Sequence, residues 1–493
     1  MVITPRADHP IFASAAMRIG GERIGSGSEG ELTHISPVNG GVLGAFPVGG
    51  AVEADAAIQS ARIAQRAWIA MPNRQRRDLL LSAARMITAR AEELATIASH
   101  ETGALFNPAA MAAGTEHLTY YAGWIDKIEG ATIPLGAGVL DYTTHEPYGV
   151  VLGITSWNGP ITSALMKLGP ALAAGNAVIV KPPELGPFAT MVLADIFEEA
   201  GLPPGLFNVV TGGAATAQAL IGDPRIGKIS FTGGLSTARH VLRGAAENAT
   251  PVVTELGGKS ANLVFADADL DRAAGMAAMM GCVVHAGQGC LFPTRLLVED
   301  AIYDRFVGKV VDIVRAARVG SPFEAGTVTG PVISQGAVDR ILARIADARQ
   351  AGEGKLLAGG ERLDGELLGG DLANGYYVAP TVFGDVANDA GIAREEVFGP
   401  VLSIIRFSDE ADAVAKANDS SYGLAGYVHT TDLGRAHRVA GALEAGYIGV
   451  NAFPPMPVQA PFGGYKQSGS GREGGRAGIE EFLRTKNIYI PWG

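Results

Sequence analysis

The chain reads as α/β, with a mostly parallel sheet in each of two regions. From residue 148 onward, short apolar runs alternate with helical runs of about ten to fifteen residues, the signature of right-handed βαβ units. The apolar runs are of strand length, and 149–155 reads as a buried strand. The 493 residues, at roughly 150 per domain, allow about three domains. A hydrophobic content of 47% against 18% charged residues belongs to a packed globular protein, not a disordered one.

Residues 52–103 read as two Ala-rich helices broken at Met71-Pro72-Asn73. Val52, Ala56, Ile63 and Ala67 share a face of the first; Leu79, Leu80, Ala83, Ile87 and Leu94 share a face of the second. Residues 130–146, with their Pro, Gly and Thr-Thr, read as a hairpin outside the main sheet. The first alternation follows: strand 149–155, helix 163–174, strand 177–180, helix 188–200, strands 207–210 and 227–231, helix 236–248, strand 252–255. A sheet of this kind places its binding site at the carboxyl ends of its strands. The second alternation comprises strand 262–265, helix 270–280, strand 294–298, helices 301–319 and 336–351, strand 401–407, helix 410–417, strand 424–429, helix 433–443 and strand 447–451. The tail 485–491 alternates like an edge strand. It and the 130–146 hairpin are expected to pair with another subunit by strand addition. The 67 glycines are scattered through turns, and no repeat of fixed period is present.

Net charge, 39 minus 50, is −11, which argues against nucleic acid and leaves no polybasic membrane anchor. No apolar run is long enough for a membrane span. The two cysteines, Cys282 and Cys290, cannot build a disulfide framework, and no CxxC offers a metal site. The first eight residues lack a secretory pattern, so a reducing cytoplasm is expected. Asn248-Ala249-Thr250 fits a glycosylation sequon, which has no meaning there.

Chemistry concentrates at Cys290. It follows Ala286-Gly287-Gln288-Gly289, a run of small residues that exposes what comes next, whereas Cys282 lies in a helical pattern and reads as inert. Thirty-five positions earlier, Glu255 ends the strand pattern Pro251-Val252-Val253-Thr254 and opens Glu255-Leu256-Gly257-Gly258-Lys259. A lone thiol with a carboxylate held by a glycine turn suggests covalent catalysis followed by hydrolysis. The thiol must ionise, against a free pKa of about 8.5, and a nearby base, a helix N-terminus or a bound nicotinamide cation is expected to supply the bias. Asn158, just past a strand end in Thr155-Ser156-Trp157-Asn158-Gly159-Pro160, can donate to an oxyanion; Asn-Gly-Pro is also plain turn chemistry.

Two segments match GxGxxG, 25–30 and 469–474, but neither follows a strand in a βαβ unit, so both read as loops. Phe231-Thr232-Gly233-Gly234 is the better phosphate candidate, at a strand end that opens a helix. Lys181 and Glu184, in Lys181-Pro182-Pro183-Glu184, could grip ribose hydroxyls; a carboxylate there favours NAD over NADP, though Lys181 leaves some NADP use open. The plain alternative is a surface ion pair. Glu396 could accept from a second ribose or be a solvated charge.

Together these segments resemble the aldehyde dehydrogenase superfamily. The match is an ordered set: Glu146-Pro147-Tyr148-Gly149-Val150, the 156–160 turn, Lys181–Glu184, Phe231–Gly234, Glu255–Lys259, Gly287–Cys290, Glu396-Val397-Phe398-Gly399-Pro400 and the 461–469 segment. The resemblance implies a Rossmann-like NAD-binding domain (1–129 and 148–256), a catalytic α/β domain (257–464) and a small bridging β element (130–147 and 476–493) that makes a homodimer or homotetramer. It implies that Cys290 attacks the aldehyde, that Asn158 and the Cys290 N–H hold the oxyanion, and that Glu255 activates the water that releases the acid. Lys181 and Glu184 would hold the adenosine ribose and Glu396 the nicotinamide ribose, with Phe398 against the nicotinamide. Thr155, Ser156, Trp157, Gly213, Phe231, Thr232, Gly233, Gly234 and Leu256 would complete the cofactor site. Ser156 stands where the family often has proline, and Gly234 where it often has serine; the second change removes a hydroxyl from the phosphate site. By alignment, Gly159, Ser163, Met166, Leu291, Phe292, Phe453 and Met456 would line the substrate entry. No Arg pair or aromatic cage is placed for a carboxylate or a quaternary ammonium. The expectation is therefore a bulky apolar aldehyde, aromatic or medium-to-long aliphatic. The alternatives are a CoA-acylating enzyme, against which Glu255 argues, and a non-catalytic relative.

Overall fold

The computed structural model describes residues 8–365, 368–453 and 455–492. Residues 1–7, on which most of the leader reading rests, lie outside the described residues. So do 366, 367, 454 and 493, within the expected domain spans.

The first alternation folds into an eight-stranded sheet, ordered Glu22–Ile24, Met17–Ile19, Phe207–Val209, Ala177–Lys181, Val150–Ile154, Lys228–Thr232, Val252–Glu255 and Gly469–Ser470. The five inner strands are parallel; the outer ones attach antiparallel. The chain enters at Val150–Ile154, winds one way to Phe207–Val209, then returns on the other side as Lys228–Thr232 and Val252–Glu255. This reversal opens a crevice at the carboxyl ends of the strands. Val150–Ile154 and Ala177–Lys181 are buried throughout, which is why they read as continuous apolar runs. Helix Pro160–Ala173 begins on Pro160, whose fixed φ suits a first turn, three residues earlier than the sequence pattern suggested.

Residues 51–102 form three helices, not two: Ala51–Ala70, Asn73–Ala89 and Ala91–Thr102. The first break is the expected one at Pro72. The second falls at Arg90, at φ −105° and ψ 18°, with its N–H returned to the Met86 and Ile87 carbonyls. No Gly or Pro marks it, and the apolar stripe from Leu79 to Leu94 runs through it. The hairpin Glu31–Ile35 with Val42–Pro47 and the helices Pro108–Gly114, Glu116–Ala122 and Ala214–Ile221 had no distinct sequence signal.

The second alternation forms a seven-stranded sheet, ordered Lys355–Ala358, Thr381–Gly384, Val401–Phe407, Arg295–Glu299, Ala261–Val264, Ala425–His429 and Tyr447–Val450. All but Lys355–Ala358 are parallel. The first two strands were not anticipated. The helix expected over 301–319 is Tyr303–Arg315, entered through a short 3-10 turn. Helix Leu270–Ala278 continues as a π-turn, Met279–Val283, which leads toward Cys290.

Leu483–Pro491 pairs antiparallel with Val139–Pro147 along its full length, and Thr132–Ile133 adds a third strand. This small sheet is separate from the other two and exposes Leu140, Tyr489, Ile490 and Trp492. Among the described residues no helix is long and apolar enough to cross a membrane.

Candidate active site

The loop before Cys290 is shaped by close contacts. After the π-turn the backbone goes left-handed at His285 (φ 52°), Ala286 (φ 50°) and Gly287 (φ 68°). Gly287 is required here: a Cβ would stand 2.1 Å from the Gly399 carbonyl oxygen. Gln288 is locked, donating through its backbone N–H and Nε2 to the His285 carbonyl (3.0 and 3.1 Å) and accepting at Oε1 from the Ile333 N–H (2.9 Å). Cys290 emerges half-buried, whereas Cys282 is fully buried in the π-turn. Asn158 reaches this loop from the other sheet, its Nδ2 donating to the Gln288 carbonyl at 3.0 Å. One Nδ2–H remains for another acceptor.

Glu255 is the last residue of its strand, beside Thr232 on one side and Gly469 on the other. It is 4% exposed, and neither carboxylate oxygen has a hydrogen-bond partner. Burial raises its pKa well above the usual carboxylate value, and the Glu473 carboxylate raises it further; Lys167 and Arg472 pull the other way. An ionised carboxylate without a donor is costly, so this is a group built to hold a proton.

The Cys290 thiol is pushed up to about 12 by burial, then by the Glu396 and Glu255 carboxylates. The charged neighbours that act on it are anions, and the Leu291 and Cys290 main-chain groups that favour the thiolate are outweighed. Cys282 is also pushed up to about 12, by burial. Access, not acidity, separates the two thiols.

Two residues at this site lacked a sequence reading. Lys167 is wholly buried on helix Pro160–Ala173 and donates to Glu473 (2.9 Å), Ser230 Oγ (3.1 Å) and Thr232 Oγ1 (2.8 Å). Its signal was available, as the one charged residue of an otherwise apolar and small-polar helix. Glu473 lies in the 469–474 segment, which is a loop and short edge strand, not a phosphate turn. Segment 25–30 is also a loop.

The other candidates gather along the crevice. Thr155, Ser156 and Trp157 follow Val150–Ile154, and the buried Thr155 Oγ1 has no partner. Lys181 ends its strand, buried, with Nζ 3.3 Å from Glu184, which is itself half-buried. Gly213 faces Glu184: a Cβ would lie 3.4 Å from its Oε1. Phe231 and Thr232 end Lys228–Thr232, Gly233 follows, and Gly234 caps helix Leu235–Ala246. Nothing stands within 4 Å of a Cβ built on Gly234, so the turn is open there. Leu256 follows Glu255 and is buried. From the second sheet, Glu396 Oε1 accepts from the Gly258 N–H at 3.0 Å, and burial lifts its pKa to about 7. It is thus held across the crevice and is not a solvated charge. Phe398, at φ 46°, sets its ring edge-on to Trp157, centroids 5.4 Å apart.

Around the thiol, Leu291, Phe292, Met166, Phe453 and Met456 join one apolar cluster with Tyr427, Tyr447, Phe462, Met276 and Met280. Gly159 has open space beside it, and Ser163 is buried one turn further along the helix. Tyr427 stacks on Phe453 (centroids 5.5 Å, planes 13° apart) and donates to the Leu291 carbonyl at 2.8 Å.

A thiol, a side-chain amide with a free N–H and a carboxylate of raised proton affinity thus gather between two mostly parallel sheets. A model of the aldehyde dehydrogenase family matches residues 24–488. The chain belongs to the aldehyde dehydrogenase family. Among solved structures, betaine aldehyde dehydrogenase from Staphylococcus aureus in complex with NAD+ is 36% identical at a TM-score of 0.93, covering 97% of this chain and 95% of that one. An aldehyde dehydrogenase described as putative, from Burkholderia cenocepacia, is 36% identical at 0.93, covering 97% of each chain. An aldehyde dehydrogenase variant from Bacillus cereus is 34% identical at 0.94, covering 100% of this chain and 99% of that one. The chain is therefore an oxidoreductase acting on aldehydes. Among the described residues no cluster of His, Cys, Asp or Glu could hold a metal ion.

Proposed function

We propose that this aldehyde dehydrogenase oxidises bulky apolar aldehydes, aromatic or medium-to-long aliphatic, to carboxylic acids with NAD+. What supports the substrate reading is the apolar wall packed around Cys290, to which Met166, Leu291, Phe292, Tyr427, Phe453 and Met456 contribute. The stacking of Tyr427 on Phe453 covers one face of each ring, which leaves less aromatic surface for a quaternary ammonium. The Staphylococcus aureus relative acts on betaine aldehyde by its name; this wall of side chains favours a different substrate.

The crevice fits a dinucleotide. Gly234 leaves the start of a helix bare for a pyrophosphate, Glu184 and Lys181 would hold one ribose, and Glu396 the other. The Glu184 carboxylate disfavours a 2′-phosphate, hence NAD over NADP. Residues 1–129 with 148–256 form the cofactor domain, 257–464 the catalytic domain, and 130–147 with 476–493 the element that joins subunits into a dimer or tetramer. The free edges and exposed apolar side chains of that small sheet support the last assignment.

NAD+, held by the residues named above, would supply the hydride acceptor. Cys290, half-exposed to the crevice, loses its proton to water there, and its sulfur adds to the aldehyde carbon. The resulting oxyanion takes the free Asn158 Nδ2–H and the Cys290 N–H. When the C=O bond reforms, hydride leaves carbon and a thioester remains on Cys290. Glu255 removes a proton from water as the water oxygen attacks that thioester. The C–S bond breaks and the acid departs.

The test is NADH formation against benzaldehyde, octanal, succinic semialdehyde and betaine aldehyde, with Cys290→Ala as control. Preference for the first two, lost in the variant, is expected. Preference for either of the last two overturns the substrate reading.

A further inference from the structure

We infer that Tyr427 is a positioning residue that sets aldehyde specificity: it holds Phe453 as a fixed, flat wall beside the nucleophile's loop, an arrangement that favours aromatic over flexible aliphatic aldehydes. The inference rests on the reading that Phe453, Leu291 and Phe292 line the substrate entry. Tyr427 sits at the centre of strand Ala425–His429 and is wholly buried. Its hydroxyl donates to the carbonyl of Leu291, the residue after Cys290, at 2.8 Å. Its ring lies on the Phe453 ring, centroids 5.5 Å and planes 13° apart. Phe453 in turn meets Phe292 edge-on, centroids 6.0 Å apart. The circuit closes on the thiol's loop, because Phe292 follows Leu291 and donates its N–H back to the Gly289 carbonyl at 3.1 Å. One side chain thus ties the chain just past the nucleophile to the loop that follows the neighbouring strand.

Two further observations support the assignment. First, the Phe453 loop is pinned at its base to the end of the strand that carries Tyr427. Asn451 takes up left-handed backbone (φ 53°), which Asn tolerates. It accepts from the Thr430 N–H at 3.1 Å and donates through Nδ2 to the Thr430 carbonyl at 2.8 Å. With the base fixed there, the stack on Tyr427 fixes the ring two residues further on. Second, the position beside Tyr427 in the sheet is Gly449. Paired residues share a face, and a glycine puts no side chain in the way of the returning Phe453. Phe453 is itself half-buried, one face against Tyr427 and the other left for an occupant of the crevice. A held aromatic face rewards a planar ring, which stacks in a defined orientation, more than an alkyl chain, which adapts to a moving wall as well as to a fixed one. The phenol O–H has its own task, since it holds the Leu291 carbonyl inside an apolar cluster.

The experiment measures kcat/KM for benzaldehyde and octanal with NAD+ in wild type, Tyr427→Phe, Tyr427→Met, Phe453→Leu and the double variant Tyr427→Met with Phe453→Leu. Phe keeps the ring and loses the hydroxyl; Met loses both and fills much of the space. Wild type is expected to favour benzaldehyde. Tyr427→Met lowers the benzaldehyde-to-octanal ratio about 3- to 10-fold, the range that one aromatic contact supplies. Tyr427→Phe keeps that ratio within about twofold of wild type, while kcat/KM falls about 10-fold for both aldehydes alike, because the Leu291 carbonyl loses its donor and the segment beside the sulfur shifts. A merely structural role would lower both aldehydes together in both variants. The double variant has a ratio no lower than that of Phe453→Leu, since Tyr427 acts through Phe453. A wild type that favours octanal, an unchanged ratio in Tyr427→Met, unchanged kcat/KM in Tyr427→Phe, or additive losses in the double variant overturns the inference. If Tyr427→Met does not fold, Tyr427→Phe decides alone: a common fall at constant ratio upholds the inference, and any other result overturns it. Phe453→Leu separates the layers. If it leaves the ratio unchanged, the reading of Phe453 as a substrate wall falls; if it lowers the ratio and Tyr427→Met does not, only this inference falls.

Discussion

Lys167→Met is the sharpest probe of how Glu255 is tuned. The ammonium is wholly buried and bonds Glu473 at 2.9 Å, itself only 6% exposed in its side chain. Removing one partner of such a pair leaves an uncompensated buried charge, at a cost of about 3–5 kcal/mol in stability. The catalytic effect follows from the neighbours of Glu255: Lys167 lowers its pKa and Glu473 raises it. Lys167 also donates to Thr232, the residue beside Glu255 in the sheet, so the charges act at short range. Lys167→Met should therefore move the acidic limb of the kcat–pH profile up, since the cation that lowers the Glu255 pKa is gone. Glu473→Gln removes the anion and should move it down. The double change Lys167→Met with Glu473→Leu should regain most of the lost stability, because a buried pair replaced by apolar groups of similar size is close to neutral. The assays are steady-state NADH formation across pH and urea unfolding. Limbs that shift in the same direction, or that stay in place while only the amplitude falls, would refute the electrostatic coupling.

Glu255→Gln should give a burst of NADH without sustained turnover, since the thioester forms and no base activates water. The same change should raise Tm at about pH 8 and leave it unaltered near pH 4. The folded-state pKa of Glu255 is raised, so its stabilising contribution is present below the ordinary carboxylate pKa and is lost as pH rises through the folded value. A lower Tm at pH 8 would refute that sign. For Glu396, lifted to about 7 by burial, ionisation would strengthen the hydrogen bonds it is proposed to accept from ribose hydroxyls. NAD affinity measured by calorimetry should strengthen as pH rises through about 7, with proton release on binding, and the dependence should vanish in Glu396→Gln.

The parallel strands were legible because each is a short apolar run between turn residues, a purely local signal. The break at Arg90 was not, because the stripe from Leu79 to Leu94 continues across it and the chain bends without Gly or Pro. The strands Lys355–Ala358 and Thr381–Gly384 are only four residues long and gain their identity from pairing with partners far away in sequence. The site divides in the same way. Gly287 and Gly258 could be seen as glycines, but the reasons they are glycines, the Gly399 and Cys290 carbonyls pressed against them, are tertiary facts. Lys167 and Glu473 meet across 306 positions of chain, so no spacing rule could join them, although a lysine in an apolar helix asks for a buried partner. Cys290 shows the limit most clearly. The sequence singled it out through its small neighbours, and the expectation attached to it was an acidic thiol. In the structure its thiol is no more acidic than that of Cys282. The glycine-rich loop brings the sulfur to the crevice and leaves its proton in place. Burial and the Glu396 and Glu255 carboxylates hold the thiol in its protonated form, and the Leu291 and Cys290 main-chain groups are what the structure sets against them.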